Sequence, residues 1–142
     1  MNWPLTIRIP IRARGKGRPR VCKSGTAVFT PPDTAAFERT VANVARREMR
    51  LSGNTPLDDA VAMLIAISIR PSKARAIADP CTVKPDIDNA AKAILDALSG
   101  IVYTDDKNVV HLTVTKEYAH EDSITITVQP FAAPTLEELT HE

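Results

Sequence analysis

Cysteine is scarce in this sequence: its 142 residues hold two, Cys22 and Cys81, far apart and in no CxxC pair. That argues against a disulfide framework or a zinc ribbon and suits a reducing compartment. No apolar run is long enough to span a bilayer. The opening Met1-Asn2-Trp3-Pro4 lacks the basic-then-apolar pattern of a secretory signal, so the expected location is the cytoplasm. No internal repeat is present. His111 and His120 have no partner at metal-ligand spacing, so neither is expected to bind a metal. Acidic residues are missing altogether before Asp33.

What is present is an ordinary globular composition, 44% hydrophobic and 25% charged, in a chain long enough for one domain with a real core. The net charge of +1 hides an asymmetry. Residues 1–55 carry 11 Lys/Arg and 3 Asp/Glu, a balance of +8, whereas residues 56–142 carry 7 and 14, a balance of −7. Either the halves neutralise each other in the fold, or one meets a polyanion while the other meets a cation. A nuclease needs both surfaces.

Periodicity predicts alternating strands and helices. Leu5, Ile7, Ile9 and Ile11 alternate with Thr6, Arg8, Pro10 and Arg12, a half-buried strand in which Pro10 marks an edge or a bulge. The Gly- and Pro-rich Arg14-Gly15-Lys16-Gly17-Arg18-Pro19-Arg20 is irregular. Val21 to Thr30 reads as a small hairpin turning at Ser24-Gly25. Asp33 or Thr34 can cap a helix running to about Leu51, with Phe37, Val41, Val44, Ala45 and Met49 inward and Arg39, Asn43, Arg46 and Arg50 on another face. Val61, Met63, Ile65, Ile67 and Ile69 predict a central strand. Residues 71–85, with three prolines and the basic Lys73, Arg75 and Lys84, predict a mobile loop. A helix is expected from about Asp86 to Leu98, closed by Gly100. Two strands then carry Val110, Leu112, Val114 and Ile124, Ile126, Val128, with a turn near Ala119 to Asp122. Residues 1–130 thus form one domain, and 131–142 a tail with one helical turn through Leu136 and Leu139. Trp3 and Phe131 read as core or interface.

The chemistry concentrates around the second helix. Five carboxylates, Asp86, Asp88, Asp96, Asp105 and Asp106, fall within the 23 residues from Lys84 to Asp106. Ile87, Ala90, Ala91, Ile94, Leu95 and Leu98 define its buried face. Asp88, Lys92 and Asp96 follow at i, i+4 and i+8 as a polar stripe beside it. Asp86 and Asp88 lie at the helix start, where the dipole favours anions. Crowded acids repel unless something positive sits among them, and a hard divalent cation held by oxygen ligands is the simplest candidate. If the strand after Asp105-Asp106 lies beside the helix start, three carboxylates can meet there. Each acid also has an ordinary reading: ladder of ion pairs, helix cap, turn.

The run Lys84-Pro85-Asp86-Ile87-Asp88-Asn89, then Lys92, Asp96-Ala97-Leu98, Gly100, Asp105-Asp106 and Val109-Val110, resembles the RusA family of Holliday junction resolvases. Lys16-Gly17-Arg18-Pro19-Arg20 and Thr30-Pro31 resemble that family's opening segment, particularly in phage-borne members. The likeness extends over roughly residues 5–128. It implies an α/β fold of the α+β type, a small mixed sheet of about four to six strands with two main helices. It implies a homodimeric, bacterial or phage-encoded endonuclease that cuts four-way DNA by paired nicks with Mg²⁺, for which Mn²⁺ can substitute. By motif match, Asp86, Asp88 and Asp106 would bind the metal and Lys92 would be catalytic. Asp105, Asp96 and Asn89 would lie just behind them. Arg14, Lys16, Arg18 and Arg20 of the basic arm, with Lys73, Arg75 and Lys84 of the loop, are the candidates for contact with DNA phosphates. Two other functions use parts of this pattern. A metal-dependent nucleotide phosphohydrolase would have little need of the basic arm, and a non-catalytic DNA-binding protein would not need convergent acids.

Overall fold

A computed structural model describes residues 2–17, 20–21, 25, 28–29 and 32–133. The turn expected through Leu136 and Leu139, most of the expected tail, and Arg18 lie outside these residues. The described elements are β1 (Leu5–Ile9), β2 (Arg20–Val21), β3 (Val28–Phe29), α1 (Pro32–Ser52), β4 (Val61–Ile69), α2 (Ile87–Leu98), a 3₁₀ turn (Asp106–Asn108), β5 (Val109–Tyr118) and β6 (Ser123–Pro130). Four strands form a mixed sheet in the order β1-β6-β4-β5, and β2 pairs with β3 in a separate two-stranded ribbon. The α+β class, the two helices and the strand count match the expectation.

The alternation seen in the sequence is the alternation of the sheet. In β1, Leu5, Ile7 and Ile9 are buried and Thr6 and Arg8 exposed. Pro10 cannot donate to a ladder, and β1 ends before it, at the sheet edge. Ile7 and Ile65 both face Ile126 across neighbouring strands, and all three are fully buried. Fully burying such a side chain contributes about 1.5–3 kcal/mol, so this row anchors the sheet. β4 is indeed central, antiparallel to β6 and parallel to β5. A parallel pair needs a crossover, and α2 is carried on it.

The first helix starts at Pro32, slightly before the capping residues expected. Proline suits a first turn because its missing N–H has no partner there in any case. Thr34 is buried and accepts a hydrogen bond from the Gly17 N–H at 3.0 Å, so it ties the basic segment to α1. Phe37, Val41, Ala45 and Met49 of α1 join the core, as do Ala90, Ile94, Ala97 and Leu98 of α2. Gly100 has φ of 82°, a backbone that favours glycine, and its N–H bonds to Tyr103 O at 2.8 Å to turn the chain after α2.

Candidate nuclease site

Two clefts flank the first turn of α2. One, of about 480 Å³, is lined by Arg12, Arg14, Lys16, Asp33, Lys84, Asp86 and Asn89, among others. The other, of about 330 Å³, has Asp88, Lys92, Asp96 and Asp106 around an apolar lining of Ile87, Ala91, Leu95, Leu112 and Val114. The helix start therefore separates a basic cleft from an acidic one. Asp86 and Asp88, two residues apart, face opposite sides of it.

The basic segment is fastened to the helix. Lys16 N donates to Asn89 O at 3.0 Å, and Arg12 Nη2 donates to Lys84 O at 3.4 Å. Gly15 lies so close to α2 that a Cβ there would stand 3.1 Å from Asn89 Cβ. A side chain there would force a shift of a few tenths of an ångström between the segment and the helix, which gives this glycine a steric reason. The loop before α2 is fastened from the sheet. Lys116 Nζ, on β5, donates to Val83 O at 2.6 Å and to Pro85 O at 3.0 Å. Those carbonyls bracket Lys84, and Asp86 follows directly.

Asp86 occupies the N-cap position of α2 with an extended backbone, yet its side chain makes no capping hydrogen bond. Its exposed carboxylate is not used up by the ordinary capping role. Asp88, also exposed, makes no ion pair among the described residues. The expected ladder is therefore half formed, with only Lys92 Nζ near Asp96 Oδ2, at 3.9 Å. Asp105 serves the local structure, because its side chain accepts the Lys107 N–H at 3.1 Å and caps the 3₁₀ turn. That hydrogen bond, with a second from the Asp106 side chain, holds the Asp105 carboxyl below the usual carboxylate range. Asp106 moves the opposite way. The hydrogen bond with Asp105 comes first, then partial desolvation and the charges of Asp105 and Asp96, all raising its pKa against the opposing pull of Lys92. Like-charge crowding of this kind is relieved by a cation.

Beneath the acids, Tyr103 is fully buried and donates from its hydroxyl to Leu95 O at 2.6 Å. Burial, and then the charges of Asp106, Asp96 and Asp105, push its pKa far up, so it stays a donor. This bond ties the Asp105–Asp106 segment to the second half of α2. Asp106 shares the acidic cleft with Lys92 and Asp96, while Asp86 lines the other cleft. Asp88 and Asp106 are brought together in one cleft; Asp86 does not join them there. Among the described residues no three His, Cys, Asp or Glu side chains form a ready ligand set for a metal ion.

The basic candidates divide. Arg14 is exposed at the rim, 4.0 Å from Asp33, and Lys84 is exposed in the same cleft. Lys16 turns inward, its ammonium 2.5 Å from Glu38 Oε1 and 3.1 Å from Asp96 Oδ2. Burial lowers its pKa, but the two carboxylates more than offset this and the net shift is upward. Lys73 and Arg75 are exposed in the loop and line neither cleft. Arg20 begins β2. Sequence reasoning missed Lys116, Tyr103 and Glu38. Lys116 had a signal, since it interrupts the apolar row Leu112, Val114, Tyr118 on one face of β5. Tyr103 and Glu38 had none.

One family model covers most of the chain. The family model for Endodeoxyribonuclease RusA matches residues 10–129. The chain is also 30% identical over 130 residues to "Uncharacterized protein YqaN" of Bacillus subtilis (strain 168), across 85% of this chain and 91% of that protein. The matched span holds both clefts, the helix between them and the whole sheet except β1 and the last residue of β6. This chain belongs to the RusA endodeoxyribonuclease family.

Proposed function

We propose that this protein is a Mg²⁺-dependent, structure-selective endonuclease that resolves four-way DNA junctions by paired symmetric nicks. It acts as a homodimer in recombination and repair, in the cytoplasm of a bacterium or a phage-infected cell. Residues 1–130 are the nuclease domain and 131–142 a tail. One observation carries the reading: a basic cleft and an acidic cleft meet across the first turn of α2, with Asp86 and Asp88 on either side. A nucleotide hydrolase has no use for the first cleft, and a passive DNA binder has no use for the second.

The donors fit a hard cation in type. Asp88 and Asp106 offer carboxylates to one cleft, Asp86 offers another without a competing cap bond, and Asp106 is crowded by like charge. Mg²⁺ needs few protein ligands and keeps waters, so one or two carboxylates with a substrate phosphate suffice. Bound there, it would supply an activated water and offset charge in the transition state. Mn²⁺, with the same preference for oxygen, would substitute.

The protein's own groups do the rest. Arg12, Arg14 and Lys84 hold backbone phosphates and set register without reading bases. Lys92, one turn beyond Asp88, meets the negative charge that develops on the attacked phosphate. The apolar lining from Ile87, Leu112 and Val114 lowers the local dielectric and strengthens that interaction. A two-fold dimer would present two such sites at fixed spacing, so selectivity comes from junction shape.

The test is to incubate the protein with labelled four-way, duplex and single-stranded DNA, with Mg²⁺ and with EDTA. Symmetric nicks in the junction alone, abolished by EDTA, are expected. Hydrolysis of free nucleotides without DNA cleavage, or junction binding without cleavage, would replace this reading by one of its rivals.

A further inference from the structure

Asp96 Oδ2 has two lysine neighbours, Lys16 Nζ at 3.1 Å and Lys92 Nζ at 3.9 Å. The nearer is the more enclosed: the Lys16 side chain is 19% exposed and that of Lys92 is 64%. Lys16 is also fixed from α1, by Glu38 at 2.5 Å, and through its own N–H by Asn89 O of α2. Lys92 has no carboxylate other than Asp96 within ion-pairing distance among the described residues. A charge pair is stronger when closer and less solvated, and a carboxylate already neutralised by one ammonium holds a second one weakly. Without Lys16, Asp96 would keep Lys92 as its sole cation. One turn of helix separates them, the spacing at which such pairs close.

We propose that Lys16 is a positioning residue: it occupies Asp96 and so leaves the Lys92 ammonium free to meet the phosphate. Lys16 comes from the segment that also lines the basic cleft, so the arm that meets DNA and the cation that serves the reaction share one contact. This rests on the reading of Lys92 as that cation.

The test is single-turnover cleavage of a four-way junction at saturating Mg²⁺ and protein, with melting temperature and the salt dependence of junction binding measured alongside. Lys16→Met is expected to slow cleavage on the order of 10- to 100-fold, the cost of a misplaced reacting group. The salt slope of binding should stay as in wild type, because no phosphate contact is lost. Lys16→Arg should recover most of the rate. Lys16→Met with Asp96→Asn should recover part of it, since an uncharged Asp96 position no longer draws Lys92 away. Glu38→Gln should lower the melting temperature and leave the rate near wild type, since Lys16 stays on Asp96.

If Lys16→Met does not melt cooperatively, Lys16→Gln carries the same comparisons. A wild-type rate in the Lys16 variant, a salt slope lower by about one unit, or equal slowing by the Lys16 and Glu38 variants would overturn the proposal. So would the absence of any recovery with Asp96→Asn. Lys92→Ala separates the two levels. If it cleaves like wild type, the site reading fails and this inference with it. If it is slow while Lys16→Met is normal, only the present inference fails.

Discussion

Replacing Lys116 by methionine removes one ammonium and keeps an unbranched stem on the face of β5 that also carries Val114 and Tyr118. The lost contacts are two charge-assisted hydrogen bonds, to Val83 O at 2.6 Å and Pro85 O at 3.0 Å. Hydrogen bonds to charged groups contribute about 1.5–3 kcal/mol each when well buried. These are partly buried, and water can reach the freed carbonyls, so about 1 kcal/mol each is the better figure. A loss of about 2 kcal/mol lowers the melting temperature of a domain this size by about 4–10 °C. The loop that these bonds fasten leads straight into Asp86, so the cost extends to the chemistry. Junction cleavage should slow by about tenfold or more at saturating Mg²⁺, as expected when a reacting group loses its support. Calorimetry and single-turnover cleavage on the same preparation check both numbers. A melting point within about 1 °C of wild type and an unaltered rate would refute the assigned role of Lys116.

Changing Arg12, Arg14 and Lys84 together to alanine should flatten the plot of log junction affinity against log salt by about 2–3 units, roughly one per phosphate contact. An unchanged slope would mean that this cleft does not meet DNA. The pKa of Lys16 is raised above its ordinary 10.5, so its contribution to stability is complete below that value and fades as pH rises through the higher folded-state value. The stability gap between wild type and Lys16→Met, followed by denaturation, should therefore be flat from neutral pH to about 10 and narrow only beyond it. Lys92→Ala should lower turnover by orders of magnitude and shift stability by less than about 1 kcal/mol, because its pair with Asp96 is long and exposed. A stability loss without a kinetic one would return Lys92 to an ordinary surface pair.

Much of the scaffold was legible because one side of each element is buried. The alternation in Leu5–Ile9 and Val61–Ile69 marks strands, although β1 stops at Ile9, before Pro10, and does not reach the Ile11 that the alternation includes. The helical spacing from Ile87 to Leu98, with Gly100 after it, fixes α2. What eluded the sequence depends on contacts between distant residues. Nothing near Lys16 signals that its ammonium turns toward Glu38 and Asp96, which lie 22 and 80 positions along the chain. The 3₁₀ turn from Asp106 to Asn108 is too short for any period. The Tyr103–Leu95 hydrogen bond, which ties the acidic turn to the second half of α2, joins residues with no shared signal in the sequence. The motif singled out Asp86, Asp88, Lys92 and Asp106, but their division between two clefts needed the tertiary structure.

In the proposed mechanism the carboxylates at the start of α2 and in the 3₁₀ turn serve cleavage and not DNA binding. Asp86→Asn and Asp106→Asn each delete a charge with little change of shape, so binding and cutting can be measured on nearly isosteric variants. Single-turnover assays on a labelled four-way junction should show both variants binding the junction as wild type does while nicking is lost in Mg²⁺. Nicking by either variant at close to the wild-type rate would contradict the account.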